Sequence, residues 1–173
     1  MMFFLGDIYV ILFRTEQTES KMVSSSVYDV VKETAQRIYG VEKTDIIKNG
    51  FGKPYFARDD IVHFSISHTI GFAAIAFCEL REIGIDIETI HKIDSRIVSR
   101  FYTDSEKSEI RKADDAMEKE CEIWTRKEAY CKCTGAGLTK HMLTWDSSTH
   151  IGYRIESRRI GNVIVTVCKR ATA

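Results

Sequence analysis

Charge of one sign is the first thing this sequence lacks: over 173 residues, 25 Lys and Arg stand against 25 Asp and Glu, a formal net charge of zero. No bulk field therefore draws the chain to nucleic acid or to an anionic membrane surface, and any anion it binds must be held by local groups. Disulfide and zinc signatures are also missing. The five cysteines, Cys78, Cys121, Cys131, Cys133 and Cys168, are odd in number, form no C-x-x-C pair and have no histidine at zinc-site spacing. They read as reduced thiols of a cytoplasmic protein. No apolar run approaches the ~20 residues that a membrane-spanning helix needs. The apolar opening, residues 1–13, lacks a basic flank, carries Asp7 and has no small-x-small cleavage site, so it reads as a first β-strand and not as a secretory signal. Low-complexity tracts and short tandem repeats are absent. What remains is globular, long enough for one domain with a sizeable core or for two small halves sharing one, and sufficient as a monomer.

The most informative stretch is Ile83-Gly84-Ile85-Asp86-Ile87-Glu88. Alternation along a strand sends Ile83, Ile85 and Ile87 to one face and Asp86 and Glu88 to the other. Two carboxylates roughly 6.5–7 Å apart on one strand can lean onto a single divalent cation, and Gly84 is expected to leave the space beside them open. For an isolated D-x-E the commoner reading is a half-buried strand with a solvated acidic face.

Around it, the order of elements suggests an α+β fold. After a polar connection over residues 14–21, Ser24, Ser25 and Ser26 offer N-caps for a helix whose stripe is Val27, Val30, Val31, Ala35 and Ile38 and which Gly40 ends. A short strand at 45–48 leads into Asn49-Gly50-Phe51-Gly52-Lys53-Pro54-Tyr55, where two glycines and the sole proline demand an irregular loop. A plain turn is the ordinary reading; glycine-opened backbone beside a lysine also suits close approach to a nucleotide. Residues 61–67, 71–78 and 82–88 predict three strands of one antiparallel meander, with the acidic strand third. Ser67 and His68 end the first of these and point to opposite faces, a poor nucleophile and base pair but a usable phosphate grip.

Further on, Asp94 caps a short helix carrying Ile97, Val98 and Phe101, and Thr103-Asp104-Ser105-Glu106 has capping-box form, which gives Glu106 a structural task. A charged helix is expected over 105–118 and another over 120–133, where Trp124, Glu128 and Lys132 follow at i, i+4 and i+8. Such a Glu and Lys pair ordinarily lies exposed, worth about 0.3–0.5 kcal/mol. A carboxylate one turn after a tryptophan on an inward stripe is costly unless a cation meets it. Gly135 and Gly137 stop that helix, Leu138 re-enters the core, and a final hairpin is expected from strands at 151–157 and 163–167 about a turn at 158–162.

Four blocks resemble the 4′-phosphopantetheinyl transferases of the surfactin-synthetase-activating type: Gly52-Lys53-Pro54; Phe64-Ser65-Ile66-Ser67-His68-Thr69; Gly84-Ile85-Asp86-Ile87-Glu88; and Trp124-Thr125-Arg126-Lys127-Glu128-Ala129-Tyr130-Cys131-Lys132 continuing through Gly135-Ala136-Gly137-Leu138. Arg100-Phe101-Tyr102 with Glu106 is similar to a further family segment. The resemblance spans roughly half the chain. It implies an α+β pseudo-dimer of two similar α/β halves, residues 1–80 and 81–173, with antiparallel sheets packed on helices and the active site in the cleft between halves. It implies a magnesium-dependent enzyme that moves the 4′-phosphopantetheine arm of coenzyme A to a serine of an apo acyl or peptidyl carrier protein, releasing 3′,5′-ADP.

Residue by residue, the resemblance makes Asp86, Glu88 and Glu128 magnesium ligands and Glu128 also the general base. Lys132 contacts the pyrophosphate, Ser67 and His68 hold phosphates, and Gly52, Lys53 and Pro54 border adenine and ribose. Three carboxylates with phosphate oxygens and water suit magnesium. The chain is short for the type and lacks an arginine-rich segment before the first helix; Arg14, Lys21 or Arg37 are the available substitutes. Arg96, Arg100, Lys107 and Arg111 form a cationic surface for an acidic carrier. The rival readings are a non-catalytic coenzyme A-binding protein of the same fold and a metal-dependent nuclease, the latter disfavoured by zero net charge and no basic stripe.

Overall fold

Gly6, at φ 60°, turns the apolar opening back on itself, so residues 1–13 are not one strand but a hairpin of β1 (Met2–Leu5) and β2 (Ile8–Arg14). The computed structural model describes residues 1–15, 20–58, 61–79, 81–139, 145–149 and 152–171, with backbone alone at 20–25. Most of the predicted connection before the first helix, and the side chain of Lys21, lie outside the described residues.

Helix α1 (Ser20–Tyr39) starts before the serines expected to cap it, so Ser24 to Ser26 are interior to it. Gly40 follows at φ 70° as anticipated, and the Val41 amide donates to the Ala35 carbonyl at 3.2 Å. Strands β3 (Ile46–Lys48) and β4 (Pro54–Phe56) form a small hairpin. Asn49 Oδ1 braces its loop by accepting from the amides of Phe51 and Lys53, both at 2.9 Å.

The predicted three-strand meander is divided between two sheets. Strands β5 (Val62–Thr69) and β6 (Phe72–Glu79) pair antiparallel, and the four-stranded sheet runs β1-β2-β6-β5. Strand β7 (Ile83–Thr89) instead pairs with β9 (Val163–Arg170), which pairs with β8 (Tyr153–Ile160), in a second antiparallel sheet. The final hairpin thus has longer strands and a tighter turn, at Gly161-Asn162, than the sequence pattern suggests, and Ile151 lies outside the described residues.

Between the sheets, Val10, Leu12, Ala74 and Ala76 meet Ile83, Ile85, Ile87, Val165 and Val167 in one buried cluster. The other face of the first sheet packs Ile75, Phe64 and Phe77 against Val27, Val31 and Ala35 of α1. Helix α4 (Ala116–Thr134) covers the other face of the second sheet. The layers therefore run helix, sheet, sheet, helix.

β7 is an edge strand whose outer amides would be left buried and unpaired, a costly state. Hydroxyls of β5 meet them: Ser65 Oγ accepts from Ile85 N at 3.1 Å, Ser67 Oγ from Ile87 N at 3.4 Å and Thr69 Oγ1 from Thr89 N at 3.3 Å. Side chains at every second residue of β5 thus substitute for the ladder the meander would have made.

Asp94 caps α2 (Ser95–Phe101) as predicted. The two helices expected beyond it are present, but the break comes earlier than the sequence suggests: α3 (Asp104–Lys112) ends before Ala113 and Asp115 caps α4. Leu138 is 54% exposed and does not re-enter the core. Among the described residues no helix is long and apolar enough to cross a membrane.

Candidate active site

β7 sends its isoleucines inward and Asp86 and Glu88 toward α4, the alternation the sequence implies. Gly84 has a different task from the one expected. A Cβ built there would stand 2.0 Å from the Ala129 carbonyl oxygen and 2.4 Å from the Cys133 nitrogen, so the glycine leaves no open space: it lets the α4 backbone lie against the strand. That contact brings Glu128 and Lys132 to the acidic strand.

Lys132 does not form the simple helical pair with Glu128. Its Nζ donates to Asp86 Oδ1 at 2.7 Å and to Ser67 Oγ at 2.9 Å, and Ser67 Oγ in turn donates to Asp86 Oδ1 at 2.7 Å. Asp86 Oδ2 is buried with no hydrogen-bond partner among the described residues. Thr69 Oγ1 donates to Glu88 Oε2 at 3.1 Å.

Beside this, a cleft of about 340 Å³ is lined by Gly52, Lys53, Pro54, Ser67, His68, Glu128 and Lys132. Seven of the nine residues picked from sequence thus share one cavity, and Asp86 touches it through Ser67 and Lys132. Glu88 lines instead a separate depression beside His91 and Trp124.

Burial, and then the nearby Asp86 charge, push the Glu128 carboxyl up to about 7, with Lys132 opposing. The same two causes raise Glu88. Both raised acids therefore feel the charge of Asp86, one of whose oxygens has no hydrogen-bond partner among the described residues. Among the described residues no group of three or more His, Cys, Asp or Glu side chains is arranged to hold a metal ion. The donor chemistry nevertheless fits a hard divalent cation: all three groups offer oxygen, Asp86 Oδ2 has no partner among the described residues, and a cation would favour the charged forms that burial and then repulsion disfavour at Glu88 and Glu128.

Several residues of the site escape sequence reasoning. Tyr28 and Lys48 line the cleft, and only their nearness in sequence to the first helix and the glycine loop hints at it. Arg14 and Arg37 do not line it. Arg14 lies over the Phe72 ring, 5.9 Å from its centroid, and Arg37 pairs with exposed Glu33 at 3.0 Å. Of the cationic surface, Arg96 is held by Asp94, with Nη2 to Oδ2 at 2.5 Å.

Glu106 accepts from its own cap, Thr103 N at 2.7 Å, completing the capping box. It also meets Lys127 Nζ at 2.9 Å, with neither side chain exposed. Lys127 donates to the Trp145 carbonyl at 2.7 Å and Glu106 Oε1 accepts from Ser147 N at 2.8 Å. The pair fastens α3 and the 145–149 segment to the helix of Glu128. All five cysteines are buried and free, and burial pushes the Cys131 thiol to about 12.

Residues 82–172 match the family model described as the 4′-phosphopantetheinyl transferase superfamily. The chain is 37% identical over 93 residues to the 4′-phosphopantetheinyl transferase gsp of Aneurinibacillus migulanus, a match covering 53% of this chain and 38% of that one. It is 32% identical over 114 residues to the 4′-phosphopantetheinyl transferase Sfp of Bacillus subtilis (64% and 50% covered). To the 4′-phosphopantetheinyl transferase AcpT of Escherichia coli O157:H7 it is 29% identical over 128 residues (72% and 65%). The chain thus spans about half the length of these relatives.

Proposed function

This chain belongs to the 4′-phosphopantetheinyl transferase superfamily, and from that premise we infer that it transfers the 4′-phosphopantetheine arm of coenzyme A to a serine of an apo acyl or peptidyl carrier protein. The observation that carries this reading is the convergence of Gly52, Lys53, Pro54, Ser67, His68, Glu128 and Lys132, drawn from three separate stretches, on one cleft. A cytoplasmic location, a monomeric working unit and the division into halves 1–80 and 81–173 belong to the same reading.

In this mechanism the carrier serine oxygen forms a bond to the β-phosphorus of coenzyme A while the bond from that phosphorus to the oxygen of 3′,5′-ADP breaks. Glu128, at about 7, is poised to take the serine proton at neutral pH. Lys132, anchored by Asp86 and Ser67 at the mouth of the cleft, meets the negative charge that grows on the leaving diphosphate. His68, exposed at the end of β5, and the Gly52-Lys53-Pro54 turn border the nucleotide. Asp86, Glu88 and Glu128 would hold magnesium, which when bound supplies charge neutralisation at the pyrophosphate. The carrier's acidic face would dock near Arg100, Lys107 and Arg111.

Intact mass spectrometry of an apo carrier protein incubated with this chain, coenzyme A and magnesium, with and without EDTA, tests the reading. A phosphopantetheine mass gain that EDTA removes is expected. Failure across acyl and peptidyl carriers, with coenzyme A still bound, would leave the non-catalytic binding protein as the function. Carrier KM measured with Arg111→Glu checks the docking face, and an unchanged value rules it out.

A further inference from the structure

The Gly52-Lys53-Pro54 turn carries a lysine with a partner other than a ligand. Lys53 Nζ donates to the Cys133 carbonyl at 2.9 Å and is ion-paired with Glu82. Its side chain is only 13% exposed. Cys133 lies in the last turn of α4, where the final carbonyls have no intrahelical donor. A second donor from the same turn reaches the same helix end: Asn49 Nδ2 to the Gly135 carbonyl at 3.0 Å.

The fit is steric as well. Gly135 ends α4 in the left-handed conformation, φ 67° and ψ 14°. A Cβ there would stand 2.9 Å from Asn49 Nδ2 and 3.2 Å from Lys53 Cδ. Gly84 of β7 also lies against the backbone of Ala129 and Cys133. The last turn of α4 is therefore in contact with both the β3–β4 loop and β7. An ammonium at a helix C-terminus also faces the negative end of the helix dipole. Lys132, one residue before the carbonyl that Lys53 holds, carries the ammonium at Asp86 and Ser67.

We propose that Lys53 is a positioning residue: it caps the C-terminal turn of α4 and so holds Lys132 at Asp86 and Ser67, and its ammonium, although the residue borders the cleft, is not a ligand of the nucleotide. Only the part of the test that uses coenzyme A rests on the transferase reading.

Amide hydrogen exchange at residues 132–135 of the full chain, without ligand, is the primary measurement. Lys53→Met keeps the stem and removes the donor; exchange there should speed up about two- to fivefold, the range of a cation at a helix end, and Lys53→Arg should restore it. Exchange in Lys53→Met equal to wild type overturns the proposal. Glu82→Gln supplies a sign test by calorimetry with coenzyme A. Removing the carboxylate frees an ammonium that, as a ligand, would bind the phosphates more tightly; tighter binding overturns the proposal, and equal or weaker binding supports it. In the transfer assay, Lys53→Met should cause no further loss of kcat in a Lys132→Ala background, and a full additional loss counts against it. A chain that neither binds coenzyme A nor transfers its arm would sink the transferase reading while hydrogen exchange still decides the role of Lys53.

Discussion

Lys132 stands 2.7 Å from one carboxylate oxygen of Asp86, and the other oxygen, Oδ2, is buried without a hydrogen-bond partner among the described residues. One half of the carboxylate is neutralised within the protein and the other half awaits a donor or a cation. Asp86→Asn keeps the size and the Lys132 and Ser67 contacts available, so the fold should survive with a wild-type circular dichroism spectrum. Transfer should fall by at least about 100-fold, the scale for losing one preorganised electrostatic group. Magnesium should raise the melting temperature of the wild type, by about 1.4 kcal/mol of stability at ten times its dissociation constant, and should leave Asp86→Asn unmoved. Equal magnesium stabilisation of both proteins would remove Asp86 from the metal site.

Glu128 yields a prediction with a definite sign. Its folded pKa is about 7 and its ordinary value 4.5, so between these values the folded state holds a proton that the unfolded state has lost. Without divalent cations, stability should therefore fall as pH rises from 4.5 through 7. Glu128→Gln should reduce that fall to the part that Glu88, also raised, contributes, and be the more stable protein at pH 8, by at most about 3 kcal/mol. Urea unfolding of both proteins at pH 5 and pH 8 measures it; parallel pH dependence would mean Glu128 is not strained in this way. Transfer should rise with pH through about 7, and added magnesium should move the rise to lower pH because a cation favours the carboxylate.

Strand β7 is legible in the sequence because alternation fixes which side chains share a face, and Asp86 and Glu88 do emerge together. Its sheet is not legible. A short link after β6 suggests pairing, yet β7 pairs with β9, some eighty residues away, and hydroxyls of Ser65, Ser67 and Thr69, in place of a backbone ladder, bond it to β5. Nothing in a strand pattern tells which edge will be satisfied by serine oxygen in place of backbone. Gly84 illustrates the same limit: the sequence suggests open space beside the acids, whereas a helix from a distant stretch fills it and imposes the glycine. Helical spacing finds Glu128 and Lys132 together, while Lys127 looks like a solvated charge until its partner Glu106 is seen. The cleft is readable chiefly through its motifs, since Tyr28 and Lys48 enter it by tertiary packing alone.

The Glu106 and Lys127 pair is fully buried, and breaking such a pair leaves one charge uncompensated. Lys127→Met should lower stability by about 3–5 kcal/mol, because Glu106 would keep its amide donors but lose its counter-charge. The role assigned to Glu106 is support of α3 and of the segment that carries Trp145 and Ser147, without contact to substrate. Glu106→Gln should therefore lose stability in urea titration while its kcat per folded molecule stays within about tenfold of wild type. A loss of about 100-fold or more, with the folded fraction unchanged, would make Glu106 part of the chemistry.

Gly84 gives the sharpest steric prediction. An added Cβ would meet the Ala129 carbonyl oxygen at 2.0 Å and the Cys133 nitrogen at 2.4 Å, both backbone atoms of α4. No side-chain rotation relieves such contacts; the helix itself must move away from β7, taking Glu128 and Lys132 with it. Overpacking usually costs about 1–3 kcal/mol, and a backbone obstacle puts Gly84→Ala at or above the top of that range. Gly50→Ala is the matched control, since its Cβ would meet nothing within 4 Å; it should stay within about 0.5 kcal/mol of wild type. Thermal unfolding of the two variants side by side decides the matter. If Gly84→Ala were as stable as Gly50→Ala, α4 and β7 would not be in backbone contact, and the approach that brings Lys132 to Asp86 would have to be achieved some other way.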